Sequence, residues 1–469
     1  MTSNKLTRRG MLAGTGAAAL LAGAGVRPAL AADMPMLEWW DVYQPLQALH
    51  QTLWDDMAAK GVAEVNYTAS NPSNIMQSLQ LAYRGGNAPD VLNMPNVKAS
   101  TLASLRAADW FQPLDNMGFD KPFQRAATAE GFTSFDGKLY GIPIFSALWH
   151  FASVWYSRDT AAAAGLDPTT GPASWDDMRA AAKAATGGEN YGLMLPLQFG
   201  RRMADTFIDL AMAAGAPGEV DWHSGDYAYA SAPFVEALEF LMSFQKDGSL
   251  HPASSAVDAR QGRTRWAGGE ALFFFDGPWN SGVLSSNFPE VVDGIGVANV
   301  PTPDGATAQV YRGPKAATFF LSSQSKHAAA ASRVLEAFTS DEYYIALAER
   351  MDQPPLDLSA VERANVHPTY RTAVAGFAET MRIAPEPLLR NPAVSQVYAK
   401  MRDVTPGLGE IIQGAFSGAF SDPRPFLQQF ADGMSRERDR ALKAAQDEGH
   451  AVTLEDWVFA DWVPGENYG

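Results

Sequence analysis

The chain reads as an α/β protein with mainly parallel sheets flanked by helices, and three features of the sequence point there. From Met36 onward, apolar runs of strand length alternate with stretches of helix length, the spacing that right-handed crossovers between parallel strands require. The run Ala271-Leu272-Phe273-Phe274-Phe275 has no polar alternation, so as a strand it must be covered on both faces. At 469 residues, 46% hydrophobic and 19% charged, the chain is long enough for two domains, each with its own core.

The first 31 residues read as an export signal. Arg8-Arg9 precede an apolar, Ala/Gly-rich run from Met11 to Val26, and Ala29-Leu30-Ala31 supplies a small-x-small cleavage pattern, with cleavage after Ala31 or Ala32. The twin arginine points to the twin-arginine route, and the mature protein is expected to be soluble and periplasmic. Losing residues 1–31 removes Lys5, Arg8, Arg9 and Arg27 and no acid, which moves the formal charge from −16 to −20. Such a surface repels nucleic acid and anionic lipid. With no cysteine in the chain, disulfides, thiolate metal sites and thiol nucleophiles are all excluded.

Met36 to Trp40 predicts a first strand, residues 44–59 a helix, 63–68 a second strand and 72–83 a second helix. Gly86-Asn87-Ala88-Pro89-Asp90 then turns the chain into a third strand at Val91-Leu92, and the loop after it, from Asn93 to Asn96, faces the strand's carboxyl end. Asp136-Gly137 is a turn before a short strand, and 148–156 is a second extended run. In Ser174-Trp175-Asp176-Asp177 the serine caps a helix with two acids in its first turn, and Trp175 reads as core. Residues 192–196 are the next strand, Gln198 to Arg202 the loop beyond it, and 203–214 and 233–245 helices. Trp266 ends a further helix and packs on the core. Asp276-Gly277-Pro278 ends the 271–275 strand and leaves Asp276 and Trp279 at its carboxyl end, the edge where open α/β sheets bind ligands. Residues 316–321 read as a strand and 326–338 as a helix, and the remainder is mostly helical with proline breaks.

Four segments resemble one family. The stretch 267–279, ending Gly277-Pro278-Trp279, Gly86-Asn87-Ala88-Pro89-Asp90, Asp136-Gly137-Lys138-Leu139-Tyr140-Gly141-Ile142-Pro143 and the Gly/Pro segment 294–305 are similar to segments of the extracellular solute-binding proteins of bacterial ABC sugar importers, the maltose-binding class. The resemblance spans roughly residues 36–445 and weakens after 345. It implies a two-lobed periplasmic-binding-protein fold of type II. One lobe is expected from 32–145 plus 277–321 and the other from 146–276 plus 322–469, with crossovers near 143–149, 275–279 and 313–322. In the family the tryptophan after Gly-Pro stacks on a sugar ring, and the helix corresponding to 326–338 re-enters the second lobe. His150 falls where a related protein has a sugar-binding carboxylate; a lone histidine reads equally as a satisfied structural residue.

A sugar offers hydroxyls, which want carboxylates, amides and arginine, and flat C–H patches, which want aromatic faces. Trp39, Trp40, Tyr43, Trp149 and Trp279 fall at strand ends or just beyond, with Trp39 expected in the core. The residues expected to touch ligand are Trp40, Tyr43, Asn93 and Arg312 in the first lobe, Trp149, His150, Gln198 and Glu386 across the cleft, and Asp276 and Trp279 at the crossover. No catalytic residue, metal or cofactor is expected, because the seven histidines are scattered and no nucleophile elbow, Walker loop or dinucleotide fingerprint is present. The expectation is a monomeric receptor that captures a carbohydrate or polyol and delivers it to ABC-transporter permease subunits. A secreted glycosidase using two carboxylates is the alternative, although nothing in the sequence isolates such a pair. An adhesive protein without ligand leaves the aromatic cluster unexplained.

Overall fold

A computed structural model describes residues 34–43, 46–70, 74–94, 97, 99–114 and 117–468. The expected export signal, its cleavage site, and Asn96 of the loop after the third strand lie outside these residues.

Two sheets organise the described chain. The first has five strands in the order Glu64–Ala69, Met36–Asp41, Val91–Leu92, Phe319–Leu321 and Gly141–Ile142. The second has four, in the order Ile295–Ala298, Ser153–Ser157, Ala271–Asp276 and Tyr191–Met194. In each sheet one strand is inverted. Phe319–Leu321 runs antiparallel to both its neighbours, and so does Ser153–Ser157. Both inverted strands enter straight after the chain has left the other sheet, without a crossover helix to turn it round.

The pleat sorts the first sheet's side chains into two cores. Trp39, Val91 and Phe319 face helices Gln47–Ala59, Ala328–Ala337 and Asp341–Ala348, while Leu92 and Phe320 face Ile75–Gly85 and Ala99–Ala107. Trp39 is fully buried, edge-on to Phe319 at 4.8 Å and stacked on Phe338 at 5.2 Å. The second sheet has a larger core. All six residues of Ala271–Asp276 are buried in it, as the missing alternation required. Trp175 stacks on Phe240 at 4.6 Å and Trp266 packs on Phe274.

Three expectations about the course of the chain need correcting. The chain does not change sheets at 275–279, because the next strand, Ile295–Ala298, pairs with Ser153–Ser157 in the second sheet. The return to the first sheet is made only by Phe319–Leu321, so most of 277–321 does not belong with the first lobe. Helix Ala328–Ala337 does not re-enter the second lobe, since Ala331, Val334 and Leu335 lie in the Trp39 core. The third passage comes after Asp341–Ala348, and helix Pro368–Thr380 then delivers Ala373 and Phe377 to the second core. Residues Val310–Arg312 and Met381–Ile383 form a separate parallel pair between these passages.

Candidate functional site

The carboxyl end of strand Ala271–Asp276 builds an aromatic and ionic cluster. The turn Asp276-Gly277-Pro278 brings the Trp279 indole back over the strand end, where a Cβ on Gly277 would fall 2.4 Å from the ring. Only glycine lets backbone and indole approach so closely. Trp279 Nε1 donates to Asp276 Oδ1 at 2.8 Å. The same carboxylate accepts from the backbone N–H of Gly277 at 2.9 Å, from Arg263 Nε and Nη2 at 2.8 and 2.6 Å, and from Arg202 Nη2. Five donors leave a carboxylate no acceptor capacity for a ligand. The structure therefore corrects the expectation for Asp276, which fixes Trp279 and two arginines in place and has no lone pair left for a sugar hydroxyl.

Around Trp279 the rings meet edge to face. Trp149 lies 5.2 Å away at 80° and Phe151 5.7 Å away at 64°, and the Arg202 guanidinium sits over both Phe151 and Trp279 at 4.4 and 5.1 Å. On one side of this cluster is a chamber of about 1090 Å³ whose wall includes Gln198, Arg202, Asp276 and Trp279. Leu46 and the segment Arg350-Met351-Asp352, which follow first-core elements, line the same chamber. Helix Asn280–Asn287 approaches this segment so closely that a Cβ on Gly282 would lie 2.8 Å from the carbonyl oxygens of Arg350 and Met351. Met351 itself holds φ of +49°.

On the other side, Phe151, Arg312 and Glu386 line a second chamber of about 460 Å³. Arg312 Nη2 is bound to the buried Asp209 at 2.5 Å, and Asp209 also accepts the backbone N–H of Phe151. Burial raises the Asp209 carboxyl against this pairing, while the neighbouring Arg312 pulls it down. Glu386 Oε1 accepts from the Leu388 N–H at 3.1 Å and the Tyr398 hydroxyl at 3.2 Å, and burial pushes its carboxyl up. A third chamber of about 790 Å³ shares Glu386, Tyr398 and Met434 with the second and reaches Val97 and Phe132. Among the described residues no cluster of three or more His, Asp or Glu side chains could hold a metal ion.

The expected site residues thus divide. Gln198, Trp279, Arg312 and Glu386 line the chambers, and Trp149 backs Trp279. Trp40 is half-buried and packs against the core beneath helix Ile75–Gly85, lining none of these chambers. Tyr43 leans on Phe145 at 5.4 Å, with Asn93 beside its hydroxyl. Asn93 is buried, donating to the Thr318 carbonyl at 2.5 Å, and its Oδ1 has no partner among the described residues. His150 is fully buried, edge-on to Phe377 at 4.8 Å, with both ring nitrogens unpartnered. Burial and, after it, the Arg312 charge hold its pKa down at about 3, so it is a neutral core residue and lines none of these chambers. Sequence reasoning missed Phe151, Asp205, Asp209, Arg263 and the Arg350–Asp352 segment. None stands in a recognisable motif, and only the two aspartates' i, i+4 spacing on one helix offered a signal.

The chain matches the family model described as bacterial extracellular solute-binding protein over residues 47–345. No curated protein matches it in sequence. Among solved structures it is similar to the sugar-binding protein MalE from the phytopathogen Xanthomonas citri, with 16% identity and a TM-score of 0.62 over 86% of this chain and 98% of that one. The GacH receptor of Streptomyces glaucescens, solved unliganded and with acarbose, shows 17% identity and a TM-score of 0.61 over 88% and 99% of the two chains. An ABC transporter solute-binding protein from Thermotoga lettingae bound with alpha-D-tagatose shows 16% and 0.59 over 86% and 100%. These likenesses carry the two-lobed fold; the family is one of binding proteins rather than enzymes, and this chain is a member of the bacterial extracellular solute-binding proteins.

Proposed function

We propose that the chain is the exported, periplasmic receptor of an ABC importer, and that it captures a carbohydrate or polyol between its lobes and hands it to a membrane permease. The observation that carries this reading is the 1090 Å³ chamber, which has Trp279 fixed in its wall at the end of a second-sheet strand and is lined on another side by Leu46 of the first core. An indole held by a saturated carboxylate is a pre-set platform for the C–H face of a sugar ring, and binding to it costs little ordering. Gln198, Arg260 and Arg350 line the same chamber, and among the described residues no side-chain hydrogen bond or ion pair occupies either arginine. They supply donors for ring hydroxyls. Contacts from both lobes matter because a ligand shifts an open-to-closed equilibrium only through its differential affinity for the two states. Relatives of the same fold hold acarbose and tagatose, which fits this chemistry.

The test is a thermal-shift screen against mono- and disaccharides, polyols, uronates and glycerol phosphates. A ligand at 100 times its Kd adds about 2.7 kcal/mol of stability. A flat response from folded protein across the panel overturns the carbohydrate reading. Prolonged incubation should return the bound sugar chemically intact; hydrolysis abolished by substituting one cleft acid would establish the glycosidase instead.

A further inference from the structure

The second chamber differs in chemistry from the first. Its wall carries six aromatic rings, those of Phe151, Trp222, Tyr227, Tyr229, Tyr311 and Tyr398. Three carboxylates line it as well: Asp205, Glu219 and Glu386. The one cation in the lining, Arg312, is already bound to Asp209 outside it.

None of the three acids is fully used by the protein. Asp205 accepts no hydrogen bond from any described residue, and of the three arginines whose charges oppose its upward shift, Arg202 and Arg312 are committed to Asp276 and Asp209 while Arg201 is exposed. Glu219 accepts the Tyr229 hydroxyl on Oε1 at 2.5 Å, and Glu386 accepts both its donors on Oε1. The Oε2 atoms of both have no donor among the described residues. Burial pushes Asp205 up to about 6 and raises Glu386 as well, the signature of carboxylates held where their charge is under-compensated. The buried Nε1 of Trp222 is also unpartnered.

We propose that this chamber is a subsite for a protonated amine, so that the ligand is a sugar or cyclitol bearing an amino group.

An ammonium is compact and carries three donors for the unused carboxylate oxygens, and an aromatic lining suits a cation. A hydroxyl supplies a single proton and no charge, and an anionic ligand is repelled by all three acids. The chamber's 460 Å³ suits one substituted ring. The inference rests on the receptor reading above and narrows its ligand class.

Calorimetric titration of the chain with three disaccharides of one skeleton tests it: the glucosamine disaccharide of chitosan, N,N′-diacetylchitobiose and cellobiose, with ethanolamine, a protonated primary amine, as a cation lacking a sugar ring. The glucosamine disaccharide is expected to bind about tenfold or more tighter than either neutral counterpart, because charged hydrogen bonds exceed neutral ones. Asp205→Asn should shrink that advantage several-fold, and Glu386→Gln provides the same reading should the first variant fold poorly. Equal or better binding of the neutral disaccharides overturns the amine subsite and leaves the carbohydrate receptor standing. Ethanolamine bound in an Asp205-dependent way, with no disaccharide bound, supports the amine subsite and overturns the carbohydrate reading. No binding by any of the four overturns the subsite.

Discussion

Trp279 donates its indole N–H to the Asp276 carboxylate at 2.8 Å, and that carboxylate is itself clamped by Arg202 and Arg263. With Trp279 as the proposed platform and Asp276 as its anchor, the two should fail differently. Trp279→Ala is expected to lose about 1–3 kcal/mol of sugar affinity with a smaller loss of folding stability. Asp276→Ala leaves two buried guanidinium groups without their anion and should cost about 3–5 kcal/mol of stability. Urea denaturation beside calorimetric titration separates the two; equal stability losses would make Trp279 core rather than platform.

Arg312 and Asp209 form a second clamp, which also holds the Phe151 backbone N–H. Arg312→Met strands a fully buried carboxylate and should destabilise by about 3–5 kcal/mol, whereas Arg312→Met with Asp209→Leu should recover most of that loss. A double-mutant cycle by chemical denaturation checks it, and additive losses would refute the pairing.

Two of the perturbed groups, His150 and Asp205, give opposite pH dependences. His150 is held down at about 3 when folded and titrates near 6.5 when unfolded, so its contribution is complete above pH 6.5 and is lost as pH falls toward 3. Asp205 is held up at about 6 against an unfolded value of 3.8, chiefly by burial and then by Asp209, with Arg201, Arg202 and Arg312 opposing; its contribution is complete below pH 3.8 and is lost as pH rises through 6. His150→Leu should therefore flatten the loss of stability below pH 6.5, at no hydrogen-bond cost because neither nitrogen has a partner. Asp205→Asn should steepen it. Urea midpoints from pH 4 to 8 show whether the slopes move in these directions.

Gly282 lies against the carbonyl oxygens of Arg350 and Met351, backbone atoms that cannot step aside as a side chain could. Gly282→Ala should cost about 1–3 kcal/mol and weaken ligand binding by displacing a chamber wall. Unchanged denaturation and affinity would show that the helix shifts freely there.

Most of the fold was legible because it rests on local signals: unalternating apolar runs, glycine-proline turns and the Ser174 cap, which the structure forms with Asp177. What the sequence could not convey was which sheet each strand joins. Ile295–Ala298 has the same apolar character whichever sheet it completes, and its partner is decided by long-range pairing to Ser153–Ser157. The position of Trp279 in the chamber wall was legible, because a turn motif places it. The site was not legible at Asp276, whose free-looking carboxylate is consumed by arginines 13 and 74 residues away in sequence. Nor was it at His150, where only the packing of Phe377 separates a ligand contact from a core residue.

The perpendicular pair Trp149 and Trp279, 5.2 Å apart, has an optical consequence. Two indoles this close couple their strong electronic transitions, so the pair should contribute a far-ultraviolet circular-dichroism couplet that is absent when either is replaced by phenylalanine. Because one member also walls the chamber, a ligand arriving there would perturb the couplet directly. A ligand on the proposed Trp279 platform would thus be readable without a label, in a chain that has no cysteine to attach one to.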